Sequence, residues 1–217
     1  MKANKIKSVT SLVVILALGL GSFAMSQAQA ASETRDVDSF DRIVIEGAME
    51  IYITVGETQS ILIELENEDY LDRVETTVRR GRLTIEQKGR RWRRQNLTVT
   101  ITVQDLTSFV VEGAANAEIR NIDSEDFELE INGAAEIYLQ GTCGATEIEI
   151  NGAGDINAED FLCREVDISI NGTGDADVYA SESIRAELNG LGQIRVYGGP
   201  SHVRPTINGF GRFEVID

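Results

Sequence analysis

Proline and cysteine are nearly missing from this 217-residue chain, with two of each, and there is a single Trp and a single His. Two prolines exclude a Pro-rich stalk, whereas twenty glycines suit repeated tight turns. One histidine excludes His-rich zinc catalysis. No serine sits around His202 in a nucleophile motif, so a Ser-His-Asp triad is unsupported. No phosphate-binding loop of the Gly-x-x-x-x-Gly-Lys type occurs, and the glycines punctuate strands instead of opening a helix. Basic residues are scarce as well: 20 Lys and Arg stand against 36 Asp and Glu, a net charge of −16. Such an acidic chain is a poor partner for nucleic acid, whose phosphates need a cationic face. Hydrophobic residues make up 42% of the chain, enough for a packed core.

The first thirty residues read as a secretory signal. Lys2, Lys5 and Lys7 precede an apolar run from about Ser11 to Met25, and Ala28-Gln29-Ala30 offers a small-x-small cleavage site. The run is shorter than the ~20 residues a membrane span requires, and no later stretch is long and apolar enough to cross. The expectation is a signal peptide over 1–30, then a mature protein of residues 31–217 that is secreted or periplasmic and has no transmembrane span. Those 187 residues carry 17 basic and 36 acidic side chains, a net −19.

What the mature chain has in abundance is a repeat. FVVEGAANAEI from Phe109, LEINGAAEIYL from Leu129 and IEINGAGDINA from Ile148 are followed by ISINGTGDADV, AELNGLGQIRV and PTINGFGRFEV. Their glycines are Gly113, Gly133, Gly152, Gly172, Gly190 and Gly209, with an earlier copy around Gly47. The spacing is 18 to 20 residues, a period that marks a stacked array. Apolar β-branched residues alternate on both sides of each glycine, which is the pattern of half-buried strand. Asn-Gly is also a hairpin signal, so an antiparallel meander competes. Near-identical units at a near-constant interval favour stacking like on like, hence an all-β parallel β-helix-like solenoid with rungs of about 19–20 residues. The units from Val37 to about residue 110 are less regular and read as early rungs, or as a small sheet covering the open end.

Stacking assigns roles. Asn132, Asn151, Asn171, Asn189 and Asn208 form a structural column at one corner, their amides bonding from rung to rung, each followed by a glycine expected to take the positive φ of the corner. Cys143 and Cys163 fall at nearly the same place on adjacent rungs, within disulfide reach in an oxidising compartment. Three residues beyond each glycine lie Asn116, Glu136, Asp155, Asp175, Gln193 and Arg212, an outward column. Its acids Glu136, Asp155 and Asp175 admit three readings: solubilising surface, a carboxylate pair for glycan hydrolysis, or a Ca²⁺ site. Finally, the segment Arg79 to Arg94 holds Arg79, Arg80, Arg82 and Lys88, then Arg90, Arg91, Trp92, Arg93 and Arg94, whose cluster forms a basic tip between Leu83–Gln87 and Leu97–Val103. It is either a solvated hairpin end or, with an exposed Trp92, a grip for anionic polysaccharide, lipid head groups or an acidic partner.

The serial Asn-Gly-x-Gly units, with the tail GDADVYASESIRAELNGLGQIRVYGGPSHVRPTINGFGRFEVI, resemble the head GIN domain of auto-transporter adhesins, from about Val37 to the end. The usual unit of that family carries Ser where this chain has Asn. The resemblance implies a right-handed parallel β-helix-like fold, export, and a role at the cell surface; it brings no catalytic residues. The expected function is therefore a non-enzymatic binding or structural module of the cell envelope, adhesin-like, with polysaccharide or envelope components as partners and no cofactor or metal. The alternative is a carbohydrate-active enzyme using the stacked carboxylates. Ligand identity and oligomeric state stay open.

Overall fold

In the computed structural model the described residues are 31–89, 92 and 96–216; the expected signal segment, and Arg90, Arg91, Arg93 and Arg94 of the basic cluster, lie outside them. The described residues form thirteen strands and a 3-10 turn, Glu68–Arg73. The strands are β1 Ala31–Arg35, β2 Arg42–Val55, β3 Ser60–Leu65, β4 Val74–Arg79, β5 Arg82–Gln87, β6 Leu97–Val103 and β7 Ser108–Ile131. Then come β8 Ala134–Ile150, β9 Ala153–Ile170, β10 Thr173–Leu188, β11 Leu191–Tyr197, β12 His202–Ile207 and β13 Phe210–Val215. No described helix is long and apolar enough to cross a membrane.

From β7 onward the chain is a coil. β7, β8, β9, β10, β11 and β13 pair in parallel in chain order, and β12 pairs in parallel with β10. Each rung thus lies on the copy of itself one period earlier, and the antiparallel meander is excluded for these units. Ile131, Ile150, Ile170 and Leu188 stack in register, as do Ile137, Ile156, Ala176 and Ile194, all of them buried. Phe127 meets Phe161 edge to face in the core, at 5.4 Å between centroids. Alternation with β-branched residues builds this core because every second side chain of a strand points the same way.

The first rungs are built differently. β2 lies in parallel beside β7 over nearly its whole length, but its other edge is shared between two strands: Arg42–Glu46 pair with β5 and Glu50–Val55 with β6. Beyond these the pairing turns antiparallel, β4 on β5 and β1–β3 on β6. The irregular N-terminal segment is therefore a mixed sheet covering one end of the coil. It also corrects one expectation: Leu83–Gln87 and Leu97–Val103 are not the arms of a hairpin. They are successive runs of one rung, both parallel to β2.

The cysteines pair across β8 and β9 as a disulfide, Cys143–Cys163, with their Cα atoms 4.5 Å apart. At the far end of the coil the inward positions of the last rung, Val203 and Ile207, are part-exposed, because no further described strand covers them.

Candidate functional site

Two corners shape every rung. At the first, the asparagine amides form a continuous ladder. Asn151 Nδ2 donates to Asn132 Oδ1 at 3.1 Å, Asn171 to Asn151 at 3.1 Å, Asn189 to Asn171 at 2.9 Å and Asn208 to Asn189 at 2.9 Å. The glycines beside them do not take the expected conformation: Gly133, Gly152, Gly172, Gly190 and Gly209 do not have positive φ, and among the marked glycines only Gly47 and Gly113 do. What they need is space. A Cβ on Gly152 would lie closer than 3.0 Å to the carbonyl oxygen of Gly133, nearer than a real Cβ approaches backbone, and the same holds up the column. That carbonyl is occupied, accepting the N–H of Ala153 at 2.8 Å.

Beyond this corner an outer face opens. The column three residues after each glycine is in register, and the structure extends it to Glu50: Glu50–Asn116–Glu136–Asp155, then Asp175–Gln193–Arg212. Glu136, Asp155 and Asp175 are thus brought onto successive rungs, side chains exposed. Asp155 Oδ1 accepts the Asp175 N–H at 3.2 Å, and Asp175 Oδ1 accepts the Gln193 N–H at 2.8 Å. Two of the three acids are therefore tied to the backbone of the next rung. Among the described residues no three His, Cys, Asp or Glu side chains converge as metal ligands would.

A second column, five residues after each glycine, runs parallel to the first: Tyr52, Glu118, Tyr138, Asn157, Asp177, Arg195 and Glu214. The two columns line a groove of about 450 Å³. Sequence reasoning did not assign this second column, although its constant offset from the glycines was there to be counted. Two residues further along the strands, Tyr179 and Tyr197 face each other in register. Four of the five tyrosines of the chain therefore lie on this face.

Carboxylates hold the tyrosines. Tyr52 Oη donates to Glu50 Oε1 and Tyr138 Oη to Asp160 Oδ2, each at 2.7 Å. Each bond favours the protonated phenol and pushes that hydroxyl above its usual pKa of 10, and Glu159 does the same for Tyr197. The Arg120 guanidinium sits over the Tyr138 ring, 5.1 Å from its centroid, and pairs with Glu118. Arg195 grips Asp177 with two hydrogen bonds, which holds the guanidinium all the more firmly protonated. The face thus presents fixed rings between fixed acceptors, with a surplus of negative charge.

Of the basic cluster, the one described member, Trp92, is not the exposed ring expected. It is half-buried, its Nε1 donates to Lys88 O at 2.9 Å, and it packs 5.5 Å from Tyr70. Tyr70 carries Arg73 on its ring, 4.5 Å from the centroid.

A family model described as "Putative auto-transporter adhesin, head GIN domain" matches residues 39–200, stopping short of the last rung. Among solved structures, one titled a putative adhesin from Bacteroides fragilis is similar at a TM-score of 0.71 and 19% identity, covering 87% of this chain and 97% of its own. Structures titled putative adhesins from Parabacteroides merdae and Parabacteroides distasonis reach a TM-score of 0.50 each. Their identities are 18% and 17%, over 87% of this chain and 97% and 98% of theirs. At such identities the likeness is one of fold. No curated protein matches the chain.

Proposed function

The chain belongs to the head GIN domain family of auto-transporter adhesins, and on that premise we propose that it is an extracytoplasmic, adhesin-like binding module without catalytic activity, which holds a polysaccharide along the tyrosine-bearing groove. Export is supported by the lysine-led apolar leader with its Ala28-Gln29-Ala30 site, and by a disulfide of the kind that oxidising compartments favour. The observation that carries the binding reading is the pair of columns at constant rung spacing. Tyrosine rings pinned by carboxylates offer flat apolar surface to the C–H face of a sugar, and the carboxylates beside them accept its hydroxyls. Along the coil axis the ring recurs at Tyr52 and Tyr138, two rungs apart with Glu118 between them, so a chain of sugars lying along the groove meets two stacking surfaces.

Charge decides the class of polymer. The groove is lined by Glu50, Glu118, Glu136, Asp155, Asp175 and Asp177 against one arginine, Arg195. A polyanion would be repelled from it, so the ligand is a neutral or amino-bearing polysaccharide. The test is retention of neutral, amino-bearing and acidic glycans on the immobilised protein, with reducing ends measured in the same samples. A neutral or amino-bearing glycan should be retained by the wild type and lost in Tyr138→Ala, with no new reducing ends. Retention of no glycan, or retention indifferent to Tyr138→Ala, overturns the groove as the site. Reducing ends that appear with the wild type and vanish in Asp155→Asn make the protein a glycosidase instead.

A further inference from the structure

The outward face of the N-terminal sheet sorts its charges into rows. Arg79 lies opposite Arg82 across β4 and β5, and Arg82 opposite Arg42 across β5 and β2, so three arginines stand on adjacent strands about 4.8 Å apart. Four residues along the same strands, Glu75, Glu86 and Glu46 form the matching acidic row. Like charges directly opposite each other destabilise a sheet. The acidic row has its counterion, since Lys88 Nζ bridges Glu75 at 3.2 Å and Glu86 at 2.5 Å. The arginine row does not. Among the described residues the one salt bridge made by Arg42, Arg79, Arg80 and Arg82 is that of Arg42 with Asp41, at 3.3 Å. Four guanidiniums against one carboxylate leave a charge of +3 around a cavity of about 570 Å³ lined by these arginines and Thr84.

The turn beside the row is fixed in place. Arg80 and Gly81, with φ of 52° and 76°, form the two-residue connection from β4 to β5. Gly81 O accepts the N–H groups of Asp41 and Arg42 at 3.0 and 3.2 Å, and the Arg42 guanidinium donates to Arg80 O. Asparagine or aspartate is the usual first residue of such a turn, because both tolerate the left-handed region. An arginine held there brings a fourth cation to the cavity at a conformational cost that the turn itself does not require.

We propose that Arg42, Arg79, Arg80 and Arg82 form a binding site for a tetrahedral dianion, a phosphate monoester carried on a glycan. A planar carboxylate with one charge would leave most of the +3 unmatched. A dianion with three or four oxygens can accept from several guanidinium forks at once. A bilayer carrying the same phosphate is the poorer fit. The row is flanked by Thr77 and Thr84, with no exposed apolar side chain among them to insert, and residues 105–190 behind it hold 20 acidic and 3 basic residues that repel an anionic membrane. A single glycan thread reaches the cavity without presenting its charge to that body. The site stands apart from the groove and does not depend on it.

The experiment is a titration of the full chain with inorganic sulfate and phosphate, balanced against chloride at fixed ionic strength, followed by amide chemical shifts. Saturable shifts are expected at Arg42, Arg80, Gly81 and Arg82, weakened about tenfold in Arg82→Gln or Arg79→Gln and unchanged in Tyr138→Ala. With the groove disabled by Tyr138→Ala, an oligosaccharide bearing a phosphate monoester should still be retained, and its dephosphorylated form and phosphatidic acid vesicles should not. Shifts that chloride reproduces, or that survive both arginine variants with the fold intact, overturn the site. Arginine-dependent capture of vesicles without capture of the phosphorylated oligosaccharide overturns the glycan and assigns a membrane.

Discussion

The two corners of the coil solve the same problem by opposite means. At the asparagine–glycine corner no slack exists: from Ala114 through Ala134, Ala153 and Thr173 to Leu191 and Phe210 the residues after each glycine lie in unbroken register. At the other corner the register slips, between Ile119 and Ile122, between Tyr138 and Gly141, and twice between Val178 and Ser183. Rungs of 18, 19 and 20 residues can share one coil because all their differences in length are absorbed at this second corner, as bulges. The first corner is held by backbone packed too closely for a side chain and by an amide ladder. The second has neither as a repeated feature, and the disulfide lies just beyond it.

The largest expected effect comes from adding an atom where there is no slack. Gly152→Ala places a methyl against the carbonyl of Gly133, on backbone held from both sides, and should cost more than about 4 kcal/mol or prevent folding. A single glycine inserted after Ser181, in the bulged corner, should cost less than about 1 kcal/mol. Urea midpoints of the two variants measure the contrast. Equal costs would mean that the two corners do not differ in rigidity. The disulfide comes next. It closes a loop of 20 residues, so Cys143→Ala with Cys163→Ala, or reduction of the wild type, should lower stability by about 3 kcal/mol while the coil remains folded. Loss of the parallel pairing on reduction would show instead that the second corner cannot hold its rungs without the bond.

The coil and its register were legible in the sequence because stacking like on like makes spatial period and sequence period the same quantity. Once Gly133 lies on Gly113, Cys143 must lie near Cys163, and counting suffices. The reason for the glycines was not legible. Asn-Gly signals a left-handed turn when a chain reverses, but here the chain goes on and the glycine is selected by the neighbouring rung, which a single unit does not reveal. The N-terminal sheet was obscure for a related reason. Its strands LTIEQ and LTVTITV read as two arms of a hairpin, since nothing local says that both lie along one edge of β2 as its parallel partners. Trp92 looked exposed amid arginines because its cover, Tyr70, is 22 residues away. The tyrosine column could be counted at a fixed offset, yet its meaning depends on acids such as Asp160 that sit off the repeat.

The smallest effect bears on what the amide ladder adds to the glycines. Asn171 donates to Asn151 and accepts from Asn189, whereas Asn208 makes one ladder bond, to Asn189. All these side chains are exposed, so water replaces much of what is lost, and an exposed hydrogen bond contributes about 0.5–1 kcal/mol. Asn171→Ala, interrupting the ladder in its middle, should therefore lose about 1 kcal/mol and Asn208→Ala about half of that. Hydrogen exchange at the amides of Asn171 and Asn189 should quicken in the first variant and not in the second. A ladder whose bonds reinforce one another would make the gap between the two variants wider than this simple count, since a break in the middle shortens both remaining chains. If the two variants cost the same, or neither costs anything measurable, then close packing of the glycines alone holds the register. The asparagines would then be read as residues that face solvent at a crowded corner without distorting it, the position at which the family's usual unit places serine.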